Sequence, residues 1–72
     1  MEYYERMKEV RNDSDETQQQ IADVLGITRQ QYHLYESGKR QIPVDLLIKF
    51  CEHYKTSSDY ILGLAKGLKW FR

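Results

Sequence analysis

Apolar residues along this chain recur at helical spacing, and no stretch alternates in the manner of a strand. Tyr3, Met7 and Val10 stand at i, i+4 and i+7 and predict a first helix from about Glu2 to Asn12. The following Asn12-Asp-Ser-Asp-Glu16 is polar and turn-prone, so it breaks the chain and reads as a solvated loop. A second helix is expected from Gln18 to Leu25, with Ile21, Ala22, Val24 and Leu25 available to a core. A third runs from Arg29 to about Glu36 and stops at Ser37-Gly38. Pro43 is expected at the first position of a fourth helix, where its missing N–H removes no intrahelical bond. Leu47, Phe50, Cys51 and Tyr54 form the apolar stripe of that helix. Ser57 caps a short fifth helix carrying Tyr60, Ile61 and Leu62, which ends at Gly63. The expected fold class is therefore all-α, with five helices.

The segment from Thr17 to Gly38 is the most specific part of this pattern. Thr17 and Thr28 are each followed three residues later by a glutamine, Gln20 and Gln31. This is the reciprocal capping signature T-x-x-Q, written twice. Gly26 lies between the two helices, where a left-handed turn suits a residue without a Cβ. Helix, glycine-containing turn, helix is the skeleton of a helix-turn-helix. The second of these helices exposes amides, an arginine and a histidine, side chains able to donate to and accept from base edges.

Charge complicates that reading. Eleven basic and eleven acidic residues cancel, whereas a basic footprint is expected of a nucleic-acid binder. The distribution is uneven. Residues 1–16 hold three basic and six acidic side chains, residues 17–42 three and two, and residues 43–72 five and three. A locally basic face can bind phosphate on a neutral chain, with weak non-specific affinity as the consequence. Seventy-two residues fit one small domain burying about 60–65% of its unfolded surface. The lone Cys51 forms no internal disulfide and fits a reducing, cytoplasmic setting. No apolar run approaches the ~18 residues of a membrane span.

With these elements in place the chain resembles the phage-repressor-like (Xre or Cro-like) helix-turn-helix proteins. The resemblance rests on Arg11, Thr17-Gln18, Ile21-Ala22, Leu25-Gly26-Ile27-Thr28, Tyr35-Glu36-Ser37-Gly38-Lys39, Pro43 and Tyr60-Ile61-Leu62-Gly63, and it covers roughly Met7 to Gly63. It implies a lambda-repressor-like five-helix domain over residues 1–63, with the third helix in the major groove of double-stranded operator DNA. By position, Arg29, Gln30, His33 and Leu34 would face base edges. Gln18, Thr28, Gln31, Ser37, Lys39 and Arg40 would lie against the DNA backbone. A sequence-specific transcriptional regulator, a repressor acting as a homodimer, is the function implied. The sequence departs from the family at Glu16, Thr56 and Ser58, where an apolar residue is usual, and each change is expected to remove a small piece of core or staple.

Other chemistry is sparse. Arg11 and Glu36 are expected to form a structural ion pair. Most of the six tyrosines fall at helical spacing with apolar neighbours and read as core or rim packing. Cys51 and His53 lie two apart on a helix and point to different faces, and a structural zinc site needs four ligands, so no metal and no cofactor is called for. Glycine-rich phosphate loops, nucleophile elbows and paired catalytic carboxylates are absent, which argues against an enzyme. The tail over residues 64–72, with Trp70 and Phe71, has two readings, a disordered terminus or a dimer contact, and its exposed aromatics favour the contact slightly. The competing reading is a protein-interaction module, such as an antitoxin or adaptor, for which DNA is secondary. Neutral net charge favours it.

Overall fold

The computed structural model describes residues 1–64, and its five helices occupy Tyr3–Asp13 (α1), Gln18–Leu25 (α2), Arg29–Glu36 (α3), Val44–Tyr54 (α4) and Ser58–Leu62 (α5). No strand occurs among the described residues. The tail residues 65–72, including Trp70 and Phe71, lie outside them.

Helices α1, α2, α3 and α5 begin where a side chain can occupy the orphan N–H groups of the first turn. Thr17 and Thr28 both close full capping boxes with Gln20 and Gln31. Glu2 closes another with Glu5, so α1 begins one residue later than its apolar pattern implies and runs on to Asp13. Ser57 accepts from the backbone N–H groups of Asp59 and Tyr60 and starts α5. Pro43 corrects the expectation for α4. Its ψ of 148° is extended, so it is the N-cap, and Val44 is the first helical residue. A proline serves in either position, because neither requires its N–H.

Gly26, at φ 73°, turns the chain from α2 into α3. The non-glycine residue Lys55 takes the same left-handed conformation at the end of α4, with φ 54°.

The core gathers Met7 and Val10 of α1, Ile21, Ala22 and Leu25 of α2, Tyr32 of α3, Leu47, Phe50, Cys51 and Tyr54 of α4, and Ile61 of α5. Phe50 and Tyr54 meet edge to face at 4.8 Å between centroids, a preferred aromatic geometry. Val24 is a correction, being 45% exposed. Ile21, Ala22 and Leu25 fill the seam toward α3 and α4, and Val24 falls on the flank of that stripe.

The three departures from the family pattern behave differently from one another. Thr56 is fully buried, so a hydroxyl does occupy a core position. Ser58 is exposed and removes nothing from the core. Glu16 is no solvated loop residue. Its carboxylate meets His53 Nε2 at 2.9 Å and ties the α1–α2 loop to the last turn of α4. Burial of Glu16 works against ionisation, but the hydrogen bond from His53 and the proximity of Tyr54 outweigh it, and its pKa falls below the ordinary value.

Candidate nucleic-acid interface

The seat of α3 is a buried polar network centred on Glu36, itself only 6% exposed. Arg11 approaches from α1 and forks onto the carboxylate, with Nε to Oε2 at 2.9 Å and Nη2 to Oε1 at 2.8 Å. Tyr32, one turn earlier on α3, donates its hydroxyl to Oε2. Gln18, at the first position of α2, donates Nε2 to Oε1 at 3.2 Å. The carboxylate thus accepts four hydrogen bonds from three helices. Arg11 Nη1 is held in turn by the Glu16 carbonyl at 2.8 Å.

Energetics follow from this arrangement. Burial would raise the Glu36 pKa, but the bonds from Arg11, Tyr32 and Gln18 prevail and hold it below the ordinary carboxylate value. Burial, then the bond to Glu36, pushes the Tyr32 phenol well above its usual value, so it remains a donor. The bond to Glu36 keeps Arg11 above its ordinary value despite burial. A fully satisfied network of this kind fixes the positions of its members.

A second contact locks the same, C-terminal end of α3. The Tyr4 ring lies directly over Gly38, where an added Cβ would come within 2.5 Å of the ring. Gly38 has φ 81°, so conformation and contact both require glycine there. Beyond it, the Arg40 backbone N–H donates to the Leu34 carbonyl at 3.1 Å and folds the basic connector back onto α3.

On this rigid base, Arg29, Gln30, His33 and Leu34 line one shallow depression of about 290 Å3. Arg29, Gln30 and His33 are exposed and Leu34 is half-buried. The residues assigned to the backbone distribute less uniformly. Gln18 and Ser37 meet in a neighbouring depression of about 300 Å3, together with Lys8, Arg11, His33 and Glu36. His33 therefore borders both. Thr28 and Gln31 are exposed but engaged in the α3 cap, each accepting the other's backbone N–H at 3.1 Å. Lys39 and Arg40 are exposed after the Gly38 turn.

The remaining polar candidates sit elsewhere. Cys51 is buried, and burial pushes its thiol up to about 11. His53 faces Glu16. No cluster of three metal-ligating side chains occurs among the described residues, and no helix among them is long and apolar enough to cross a membrane. Sequence reasoning missed Lys8, whose place beside Gln18 depends on how α1 crosses α2 and α3. It also missed Tyr4 over Gly38 and the bond from Gln18 to Glu36. Only the i, i+4 spacing of Tyr32 and Glu36 carried a local signal.

Known proteins share this organisation. The chain is 36% identical over 63 residues to the uncharacterized HTH-type transcriptional regulator YobD of Bacillus subtilis (strain 168), covering 88% of this chain and 56% of that protein. It is 41% identical over 58 residues to the SPbeta prophage-derived uncharacterized HTH-type transcriptional regulator YonR of the same organism, covering 81% and 54%. With the uncharacterized HTH-type transcriptional regulator YqaE, also of that organism, it shares 40% identity over 70 residues, 97% of this chain and 60% of that protein. The chain thus spans a little over half the length of these curated relatives. No solved structure gives a significant match. The helix-turn-helix family profile aligns with residues 7–61, from Met7 in α1 to Ile61 in α5, and the chain belongs to that family.

Proposed function

We propose that this protein is a sequence-specific DNA-binding transcriptional regulator that inserts α3 into the major groove. The observation that carries this reading is the convergence of Arg29, Gln30, His33 and Leu34 on one face of a helix anchored at its C-terminal end by Glu36 and Gly38. An arginine can fork onto guanine O6 and N7, a glutamine onto adenine N6 and N7, and a leucine can touch a thymine methyl. Gln18, Thr28, Gln31, Ser37, Lys39 and Arg40 serve as backbone contacts in this reading. The naming of the relatives as transcriptional regulators supports it. The role is binding rather than catalysis, and the setting is the cytoplasm, where the operator lies.

The protein acts as a homodimer and a repressor. Val44, Ile48, Leu62 and Leu64 are exposed apolar residues, and such side chains favour association with a second copy. A dimer would bind two half-sites about one DNA turn apart, and occupancy of a promoter would block transcription. The same exposed apolar residues, with the neutral net charge, favour one alternative: a protein-interaction module whose partner is another protein.

In vitro selection from random duplexes tests the primary reading. A palindromic consensus is expected. Arg29→Ala and Gln30→Ala should each relax selection at particular base positions, by about 1–3 kcal/mol of discrimination per lost contact. An unchanged consensus in both variants would overturn the base-reading assignment. Absence of any selected duplex, with a stoichiometric protein partner recovered, would establish the alternative.

A further inference from the structure

We propose that Lys8 of α1 contacts a backbone phosphate of the bound duplex, seated in the depression between α1, α2 and α3. This rests on the DNA-binding reading above and adds a residue that the helix-turn-helix segment does not contain. The depression is lined by Lys8, Arg11, Gln18, His33, Glu36 and Ser37. Arg11 and Glu36 are tied to each other and almost entirely buried, so their charges cancel within the wall. Arg11 is further held by the Glu16 carbonyl and is not available to turn outward. Lys8, exposed on α1, is the positive side chain of this lining that no carboxylate of the same lining engages.

The neutral groups around it fit the same anion. Gln18 spends one N–H of its amide on Glu36, which turns its nitrogen toward the depression and leaves the second N–H to donate. The Ser37 hydroxyl, bonded to the Leu34 carbonyl at a long 3.3 Å, can rotate to donate as well. The first turn of α2, where Gln18 sits, presents orphan backbone N–H groups and the positive end of the helix dipole. His33 joins this depression to the base-facing one, which puts the phosphate at the edge of the reading surface, where a backbone strand borders the groove. On its other flank Lys8 borders Glu5, Glu9 and Asp13. Those carboxylates repel a phosphate and confine it to the Gln18 side. Lys8 reads no base. It fixes the approach of α1 and contributes affinity that salt screens.

Binding of Lys8→Ala, Lys8→Gln and Lys8→Arg to the selected duplex and to a scrambled duplex, measured by fluorescence anisotropy at 50 and 200 mM salt, tests this. Each phosphate contact contributes about 0.9 to the salt slope. The affinity advantage of the unmodified protein over Lys8→Ala or Lys8→Gln should therefore shrink about 3.5-fold between the two salt concentrations. The loss should be equal on both duplexes, and Lys8→Arg should retain binding. Lys49→Ala, on α4, should match the unmodified protein. Circular dichroism monitors folding, and Lys8→Gln, which keeps a long polar side chain while removing the charge, carries the test if alanine perturbs α1. Unchanged affinity and slope in a folded Lys8→Gln, with the unmodified protein still binding, would overturn the Lys8 seat and leave the DNA-binding reading intact. Failure of the unmodified protein to bind any duplex would remove both.

Discussion

Replacing Glu36 by glutamine should be among the most destabilising conservative changes in this domain. The carboxylate is the common acceptor for Arg11, Tyr32 and Gln18, and the paired side chains are only 11% and 3% exposed. Glutamine preserves size but offers one acceptor oxygen and no charge, so the Arg11 guanidinium is left buried without its counter-ion. Removing one partner of a buried pair costs about 3–5 kcal/mol in general. Arg11 keeps its bond to the Glu16 carbonyl, so the lower end, about 3 kcal/mol, is expected. Against a total stability of about 5–15 kcal/mol, such a loss is plain in a urea melt followed by circular dichroism. Tyr32→Phe removes a single donor to the charged group and should cost about 1.5 kcal/mol. Acid titration gives a second reading. The folded carboxylate of Glu36 holds its proton less tightly than the unfolded one, so its contribution is complete above the ordinary value near 4.5. That contribution is lost as the pH falls through the depressed folded value. Glu36→Gln should therefore flatten the acid limb of the stability profile, leaving the dependence due to Glu16. A loss under about 1 kcal/mol with an unchanged acid limb would mean that solvent screens the pair as it does at a surface.

Gly38→Ala should destabilise by more than about 2 kcal/mol, since a left-handed conformation costs a non-glycine residue about 1–2 kcal/mol before any clash with Tyr4. The excess should diminish when Tyr4→Ala is added, and strict additivity in that double-mutant cycle would refute the ring contact. Lys55→Gly should stabilise the domain by about 0.5–1 kcal/mol, because the left-handed end of α4 then carries no Cβ, and a lower denaturation midpoint would contradict this.

What was legible in advance was local. Thr17 with Gln20, and Thr28 with Gln31, are three residues apart, so chain connectivity alone brings them together. The stripe from Leu47 to Tyr54 likewise needs only helical geometry to share a face. Pro43 shows the limit of that logic. Its chemistry suits two adjacent positions equally, and the extended ψ that distinguishes them is set by the connector. Val24 shows another limit, since an apolar residue on the flank of a stripe is buried only if a neighbour covers it. Glu16 was the clearest misreading. Its partner His53 is 37 positions away, and composition marked it only as one carboxylate among several.

The sequence by itself determined five helices, the caps at Thr17, Thr28 and Ser57, the glycine turn and the face that presents Arg29, Gln30, His33 and Leu34, because each depends on interactions within about one helical turn. The tertiary structure alone decided that Glu36 collects donors from three helices, that Tyr4 closes over Gly38, and that Lys8 stands beside Gln18 and Ser37. Those arrangements depend on the angles at which α1 and α2 pack against α3. The angles are set by the interlocking of Met7, Val10, Ile21 and Tyr32 in one shared core, which no local spacing encodes.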